Sequence, residues 1–351
     1  MKSIRRVTWV TVLCTYLFVC FGALLWTRKS NSTSSSLALA ATSEPDTATI
    51  APIVPTHKHA SGPIRQTIGN YVNLIKPHVT ILLLGTTAAA MTIAKGQFPS
   101  LGLLLATLLG GAMAAGSANC INCYIDRDID QIMGRTQRRS IPSGRVNPRH
   151  ALVFGVLLGV GSFVVLYTLV NLLSAILASS AILFYVFVYT MGLKRNTAQN
   201  IVIGGAAGAV PVLVGWAAVT NSITLPAIWL FAIIFYWTPP HFWALSLLIQ
   251  KDYEKANIPM LPVVMGEKET RKQIFLYTLL LIAVTLVLFA MHVLGYLYLV
   301  SAVILGGILL YMTIRLLRDQ TKNWAKTIFW YSNCYLAVLF AIMVVDSVLH
   351  L

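Results

Sequence analysis

Asn122, Asp126 and Asp130 are the side chains whose types and spacing are best suited to chemistry. They recur every four positions in Asn122-Cys123-Tyr124-Ile125-Asp126-Arg127-Asp128-Ile129-Asp130, at the end of an apolar run from Leu101 to Ile121. Positions i, i+4 and i+8 of a helix share one face. Three oxygen-bearing side chains on one face suit a hard cation such as Mg²⁺, which takes oxygen ligands and bridges to phosphate. The basic run Arg135-Thr136-Gln137-Arg138-Arg139 follows directly. Guanidinium groups hold phosphate oxygens in pairs. Carboxylates beside guanidiniums at the mouth of a membrane helix are the parts of a metal–diphosphate site.

Charged residues at a helix end are usually a solvated surface. Scarcity argues otherwise here. The 351 residues hold only 11 Asp and Glu, and seven of these fall in two segments, Asp126–Asp130 and Asp252–Glu269. Ionisable groups beside membrane spans are costly and usually functional. The second segment is Tyr236-Trp237-Thr238-Pro239-Pro240-His241-Phe242-Trp243, continuing to Asp252-Tyr253-Glu254-Lys255-Ala256-Asn257-Ile258-Pro259-Met260-Leu261-Pro262. The two prolines are expected to break the helix that carries them, which a membrane tolerates only where protein or a cavity satisfies the freed carbonyls. His241 and Asp252 share a face if the helix runs on between them. His241 reads either as a hydrogen-bonded structural group or as a ligand or substrate contact. Tyr185, Tyr189, Lys194 and Arg195 close another apolar run; Lys194-Arg195 reads either as a topology signal or as a phosphate contact.

The elements that must position these residues are membrane spans. Hydrophobic residues make up 57% of the chain and charged residues 11%, against roughly 25% charged in a soluble domain. The spacing predicts nine spans, at 72–94, 99–122, 150–170, 173–193, 200–219, 226–249, 274–293, 296–316 and 328–349, each near the roughly 20 residues a span requires. The net charge of +15 sits in alternate loops: 123–149, 194–199, 250–273 and 317–327 are basic, and the others hold only Lys95. That asymmetry is a positive-inside signal that places the basic loops in the cytoplasm. It argues for lipid-bilayer topology and anion binding, with no nucleic-acid surface. Glycines 204, 205 and 208 thin the fifth span and allow close helix approach. Cys120 and Cys123 lack the partners of a zinc set and read as small packing residues. Residues 1–26 read as a hydrophobic anchor, 27–68 as a disordered Ser/Thr/Ala/Pro-rich linker, and 69–351 as the helical domain.

Five motifs in this order resemble the intramembrane aromatic prenyltransferase superfamily, and within it the haem branch: 122–130, Arg-Thr-x-x-Arg at 135–139, Leu-Lys-Arg-x-Thr at 193–197, Pro-Pro-His-Phe-Trp at 239–243 and Asp-Tyr-x-x-Ala-x-Ile-Pro-Met-Leu-Pro at 252–262. Lys76-Pro77 is similar to the family's opening motif, with His78 where Arg is expected. Ala256 stands where many relatives outside the haem branch carry a second acid. The resemblance implies an all-α, polytopic nine-helix bundle around a central cavity. It implies farnesyl diphosphate as donor, haem b as acceptor, and Mg²⁺ held by Asn122, Asp126, Asp130 and Asp252. Arg135, Arg139, Lys194 and Arg195 would take diphosphate oxygens, and His241, Trp237 and Trp243 would face the acceptor. It further implies residence in a bacterial plasma membrane, with haem A synthase or oxidase assembly proteins as partners. Two other readings stand beside it: a relative with a phenolic acceptor, against which Pro239-Pro240-His241 and Ala256 argue, and an ion-coupled transporter, which should show a second broken helix in the first half.

Overall fold

The computed structural model describes residues 63–319 and 321–349. The anchor expected at 1–26, and the expected linker as far as residue 62, lie outside the described residues. From Pro63 the chain is helical, earlier than the linker was expected to end: α1 covers Pro63–Leu74. Lys76 then turns the chain in the left-handed region (φ 50) before Pro77 opens α2, Pro77–Lys95. Proline is favourable at a first helical position because its missing N–H would be unpaired there anyway.

The remaining spans are α3 (Leu101–Ile125), α5 (Pro148–Leu169), α6 (Leu172–Leu183) continuing as a π-helix (Phe184–Leu193), α7 (Asn200–Thr220), α8 (Leu225–Leu248), α11 (Gly266–Ala290), α12 (Tyr296–Arg318) and α13 (Lys322–Leu349), with short helices α4 (Arg127–Ile132), α9 (Gln250–Lys255) and α10 (Leu261–Val264) between them. Nine helices among the described residues are long and apolar enough to cross a membrane, and the expected fold class holds. Their caps are local. Asn147 accepts from Arg149 N–H at 2.9 Å and Asn171 from Ser174 N–H at 2.8 Å, each satisfying an orphan donor of a first turn. The seventh span starts eight residues before its expected position because Glu267 and Glu269 sit in its first turn, where a helix dipole favours negative charge.

Successive spans pack side by side, α2 on α3, α3 on α5, α5 on α6, α6 on α7, α7 on α8, α8 on α11, α11 on α12 and α12 on α13; α13 returns to α2 and closes the ring. α2 also packs closely on α7. Thr87 donates to the Pro211 carbonyl at 3.2 Å, and a Cβ built on Gly215 would run into the Thr87 backbone oxygen. Gly215→Ala is therefore expected to force α2 and α7 apart and to cost about 1–3 kcal/mol, as overpacking does. A thermal midpoint in detergent equal to that of the unsubstituted protein would refute this.

Two sequence expectations about local backbone need correction. The sixth span was expected to break at Pro239-Pro240; α8 runs through both. Thr238, Pro239, Pro240 and His241 are all buried there, so neighbouring spans hold the segment although its ladder lacks two donors. A face shared by His241 and Asp252 required one helix; α8 instead ends at Leu248, Ile249 leaves helical geometry (φ −120, ψ 30), and α9 starts anew.

At the end of the ring opposite the charged loops, Asp346 is buried (2% exposed) in α13. It accepts from Gly295 N–H at 2.5 Å and Tyr298 N–H at 3.1 Å. A carboxylate from one span thus caps the first turn of another, α12.

Candidate functional site

The three spaced residues come together through a helix that falters and resumes. α3 ends at Ile125; Asp126 (φ −83, ψ 7) joins it to α4. The hydrogen-bond ladder survives the joint, with Asp126 N–H to Asn122 O at 2.9 Å and Asp130 N–H to Asp126 O at 2.8 Å. The single helix expected over 122–130 is thus two. Even so, Asn122, Asp126 and Asp130 are all buried, Asp126 completely, while Asp128 is exposed.

Cations from three elements reach this row. Lys194 donates to Asp126 Oδ2 at 2.5 Å, and an Arg195 nitrogen lies 3.8 Å from Oδ1. Arg195 also makes a paired contact with Asp128, at 2.7 and 2.8 Å. That bond holds the Asp128 carboxyl below its ordinary value. Arg139 grips Asp130 with one nitrogen, 2.9 and 2.7 Å from the two oxygens. Burial works against the Arg139 charge, but the Asp130 carboxylate outweighs it and holds the guanidinium above its usual range. Lys76 donates to Asn122 Oδ1 at 3.2 Å, and Asn122 donates to Asp126 Oδ2 at 2.6 Å. Burial pushes the Lys76 ammonium down. Lys194, Arg195 and Arg139 match the three carboxylates they face, and Lys76, which bonds only the Asn122 amide, is a cation beyond them. Burying surplus positive charge is costly, and an anionic ligand would offset that cost.

The π-winding of 184–193 places Lys194. Lys194 N–H bonds back five residues to Tyr189 O at 2.8 Å, and Thr190 Oγ bonds back five to Tyr185 O at 2.8 Å. This brings Thr190 Oγ within 3.3 Å of Asn122 Nδ2. The Tyr185 and Tyr189 rings lie 5.3 Å apart. Tyr189 packs on Gly204, where any Cβ would strike its ring. Close helix approach, expected of the glycines in 204–208, is realised at Gly204 against Tyr189 and at Gly205 against Thr238, but nothing meets Gly208.

Asp252 and Tyr253 approach the turn at Gly134 and Arg135. A Cβ on Gly134 would lie 3.9 Å from Asp252 Oδ1. Burial raises the pKa of the buried Tyr253 hydroxyl, and the Arg135 charge nearby opposes the rise. The Asp252 carboxylate is half-buried and bonds no described residue. A cavity of ≈ 360 Å³ opens beside these loops, its wall carrying Lys76, His78, Arg135 and Arg139.

The aromatic set lies elsewhere, between α8 and α13. His241 is buried, stacks on Trp237 (4.4 Å between ring centres) and on Phe329 (4.8 Å), and pairs through Nδ1 with Ser332 Oγ at 2.8 Å. Trp237 donates its indole N–H to Ser332 O at 2.7 Å. Trp243 is 1% exposed, edge-on to Tyr277, and its indole N–H has no partner among the described residues. Sequence reasoning did not assign Lys76, Thr190, Tyr253 or Ser332 to a site. Lys76 and Tyr253 had local signals, their places before Pro77 and after Asp252.

Among the described residues, no three His, Cys, Asp or Glu side chains form a ready cation cage. Mg²⁺ does not require one, since it is usually bound through one or two carboxylates completed by water and substrate phosphate. The donor chemistry fits it. Asp126 Oδ1 is fully buried without a hydrogen-bond partner, Asp252 is unpaired, and every candidate donor is an oxygen.

A profile of the UbiA prenyltransferase family matches residues 83–343. A protein of Gloeobacter violaceus named protoheme IX farnesyltransferase is 54% identical over 283 residues, 80% of this chain and 92% of its own length. One of the same name from Roseiflexus sp. (strain RS-1) is 52% identical over 279 residues, 80% of this chain; the match spans about half (52%) of that longer protein. In fold the chain is similar to a digeranylgeranylglyceryl phosphate synthase (TM-score 0.69, 18% identity, 81% of this chain and 99% of the other). It is also similar to a UbiA homolog from Archaeoglobus fulgidus bound to DMAPP and Mg²⁺ (TM-score 0.58, 15% identity, 80% and 100%).

Proposed function

Because this chain belongs to the UbiA prenyltransferase family, we propose that it moves a farnesyl group from farnesyl diphosphate to a vinyl group of haem b, giving haem O and diphosphate. The observation that carries this reading is the buried row Asn122–Asp126–Asp130 with its surplus of cations and an Asp126 Oδ1 that makes no hydrogen bond. The name shared by relatives about half identical over 80% of the chain supports the choice of substrates.

In the proposed reaction the farnesyl C1–O bond breaks and its electron pair leaves with the diphosphate. The vinyl π electrons attack the allylic carbon. Water then adds to the resulting cation and loses a proton, leaving a hydroxyethylfarnesyl group. Arg135, Arg139, Lys194 and Arg195 hold the diphosphate oxygens. Asn122, Asp126, Asp130 and Asp252 hold Mg²⁺, which when bound neutralises charge developing on the leaving group. Fixed cations aimed at that charge need no reorganisation as it forms. Apolar walls keep water from the allylic cation. We place the basic loops on the cytoplasmic face of a bacterial plasma membrane.

The test is mass spectrometry of haems extracted from membranes of cells that make the protein. A farnesylated haem absent from control cells is expected. Unaltered haem b together with a prenylated phenol would overturn the choice of acceptor.

A further inference from the structure

We propose that Ser332 fixes the tautomer of His241, so that Nε2 offers a lone pair to the iron of the acceptor. This rests on the haem reading above and decides between two uses of the imidazole that the residue type alone leaves equal: ligating iron, or donating to a propionate.

Proton bookkeeping carries the inference. No carboxylate among the described residues bonds the His241 ring, whose neighbours are Trp237, Phe242, Phe329 and Ser332. An imidazolium buried without a counter-ion is costly, so the ring is neutral, with one N–H and one lone pair. Ser332 has a single hydroxyl proton, and its Oγ lies 2.9 Å from the Phe329 carbonyl oxygen, one turn back on α13. In the proposed arrangement that proton goes to this carbonyl, which also accepts from Asn333 Nδ2 at 2.9 Å. The Ser332 oxygen therefore meets His241 Nδ1, 2.8 Å away, with a lone pair, and Nδ1 carries the ring's only proton. Nε2 is left as an acceptor. It has no partner among the described residues and is not one of the fully enclosed unpartnered atoms. A nitrogen without a proton cannot donate to a propionate, but it can bind a metal.

Ser332 is itself braced. It is fully buried, and its backbone oxygen accepts the Trp237 indole N–H at 2.7 Å. Trp237 and His241 lie one turn apart on α8, so both of α8's polar contacts here end on one residue of α13. The arrangement resembles the outer partners that orient metal-binding histidines, which fix the tautomer through the ring nitrogen that is not the ligand.

The experiment compares haem b with metal-free protoporphyrin IX, which has the same propionates and no iron. Each is titrated into purified protein in detergent, with farnesyl diphosphate affinity measured alongside. His241→Ala should weaken haem b binding, abolish the spectrum of an imidazole-ligated haem and leave metal-free porphyrin unaffected; free imidazole should restore the spectrum. Ser332→Ala should weaken haem b binding roughly 10–100-fold, the usual effect of losing such a partner, again sparing the metal-free porphyrin. Ser332→Thr, which keeps the hydroxyl, should recover most of the loss. Donor affinity should stay constant throughout.

Equal losses for both porphyrins would overturn the proposal and leave His241 a propionate donor or a helix brace. An unchanged spectrum in His241→Ala would overturn it as well. If Ser332→Ala fails to fold, the His241→Ala spectrum and its rescue by imidazole still decide. Should membranes make haem O while these spectra stay unchanged, the inference falls and the functional reading stands. A protein that neither binds haem b nor makes haem O would sink both.

Discussion

Asp126→Asn is expected to lower turnover roughly 10²–10³-fold, the usual cost of one contact aimed at developing charge, without weakening farnesyl diphosphate binding. The two halves of that result have separate causes. Asp126 is fully buried, its Oδ2 held by Asn122 and Lys194, its Oδ1 without a hydrogen bond. Asparagine keeps the shape but removes a negative charge from a pocket already rich in cations. The diphosphate is then attracted at least as well, while the cation that should neutralise the leaving group loses a ligand. Single-turnover rates and direct donor titration separate the two. Near-normal turnover by a well-expressed variant would remove Asp126 from the mechanism, and a large loss of donor binding would make its role structural.

Asp252→Asn should give a different pattern. Its carboxylate bonds no described residue and stands beside Gly134 of the basic loop. No hydrogen bond is lost on substitution, so the thermal midpoint should not move. Turnover should fall by roughly 10²–10³ at ordinary Mg²⁺, and raising Mg²⁺ should recover part of it, because a weakened site is refilled by mass action. A Mg²⁺ requirement equal to that of the unsubstituted protein would show that Asp252 is not a metal ligand.

What the sequence revealed, and what it hid, follows from how far each signal reaches along the chain. Asp126, Asp130 and Asp252 stood out because acids are so scarce between apolar runs, and the nine spans because twenty apolar residues have few other uses. The Asn122-to-Asp130 spacing survived a break in the helix because Asp126 keeps the ladder intact through the joint. Contacts between distant spans left no such trace. Lys76 reaches Asn122 across 46 positions, Thr190 reaches Asn122 across 68, and Ser332 meets His241 across 91. A lysine, a threonine and a serine are unremarkable in isolation, and only packing shows which partner each has. Asp346 escaped notice for the same reason. Its scarcity was visible, but the helix end it caps belongs to another span.

The five-residue return of the backbone over Phe184–Leu193 makes this segment sensitive to chain length more than to composition. Removing one residue would let the segment relax to ordinary winding and swing Lys194 away from Asp126, disarming the site with every ionisable group still present. For anyone aligning or grafting this region, insertions and deletions between Phe184 and Lys194 are therefore changes to the candidate site.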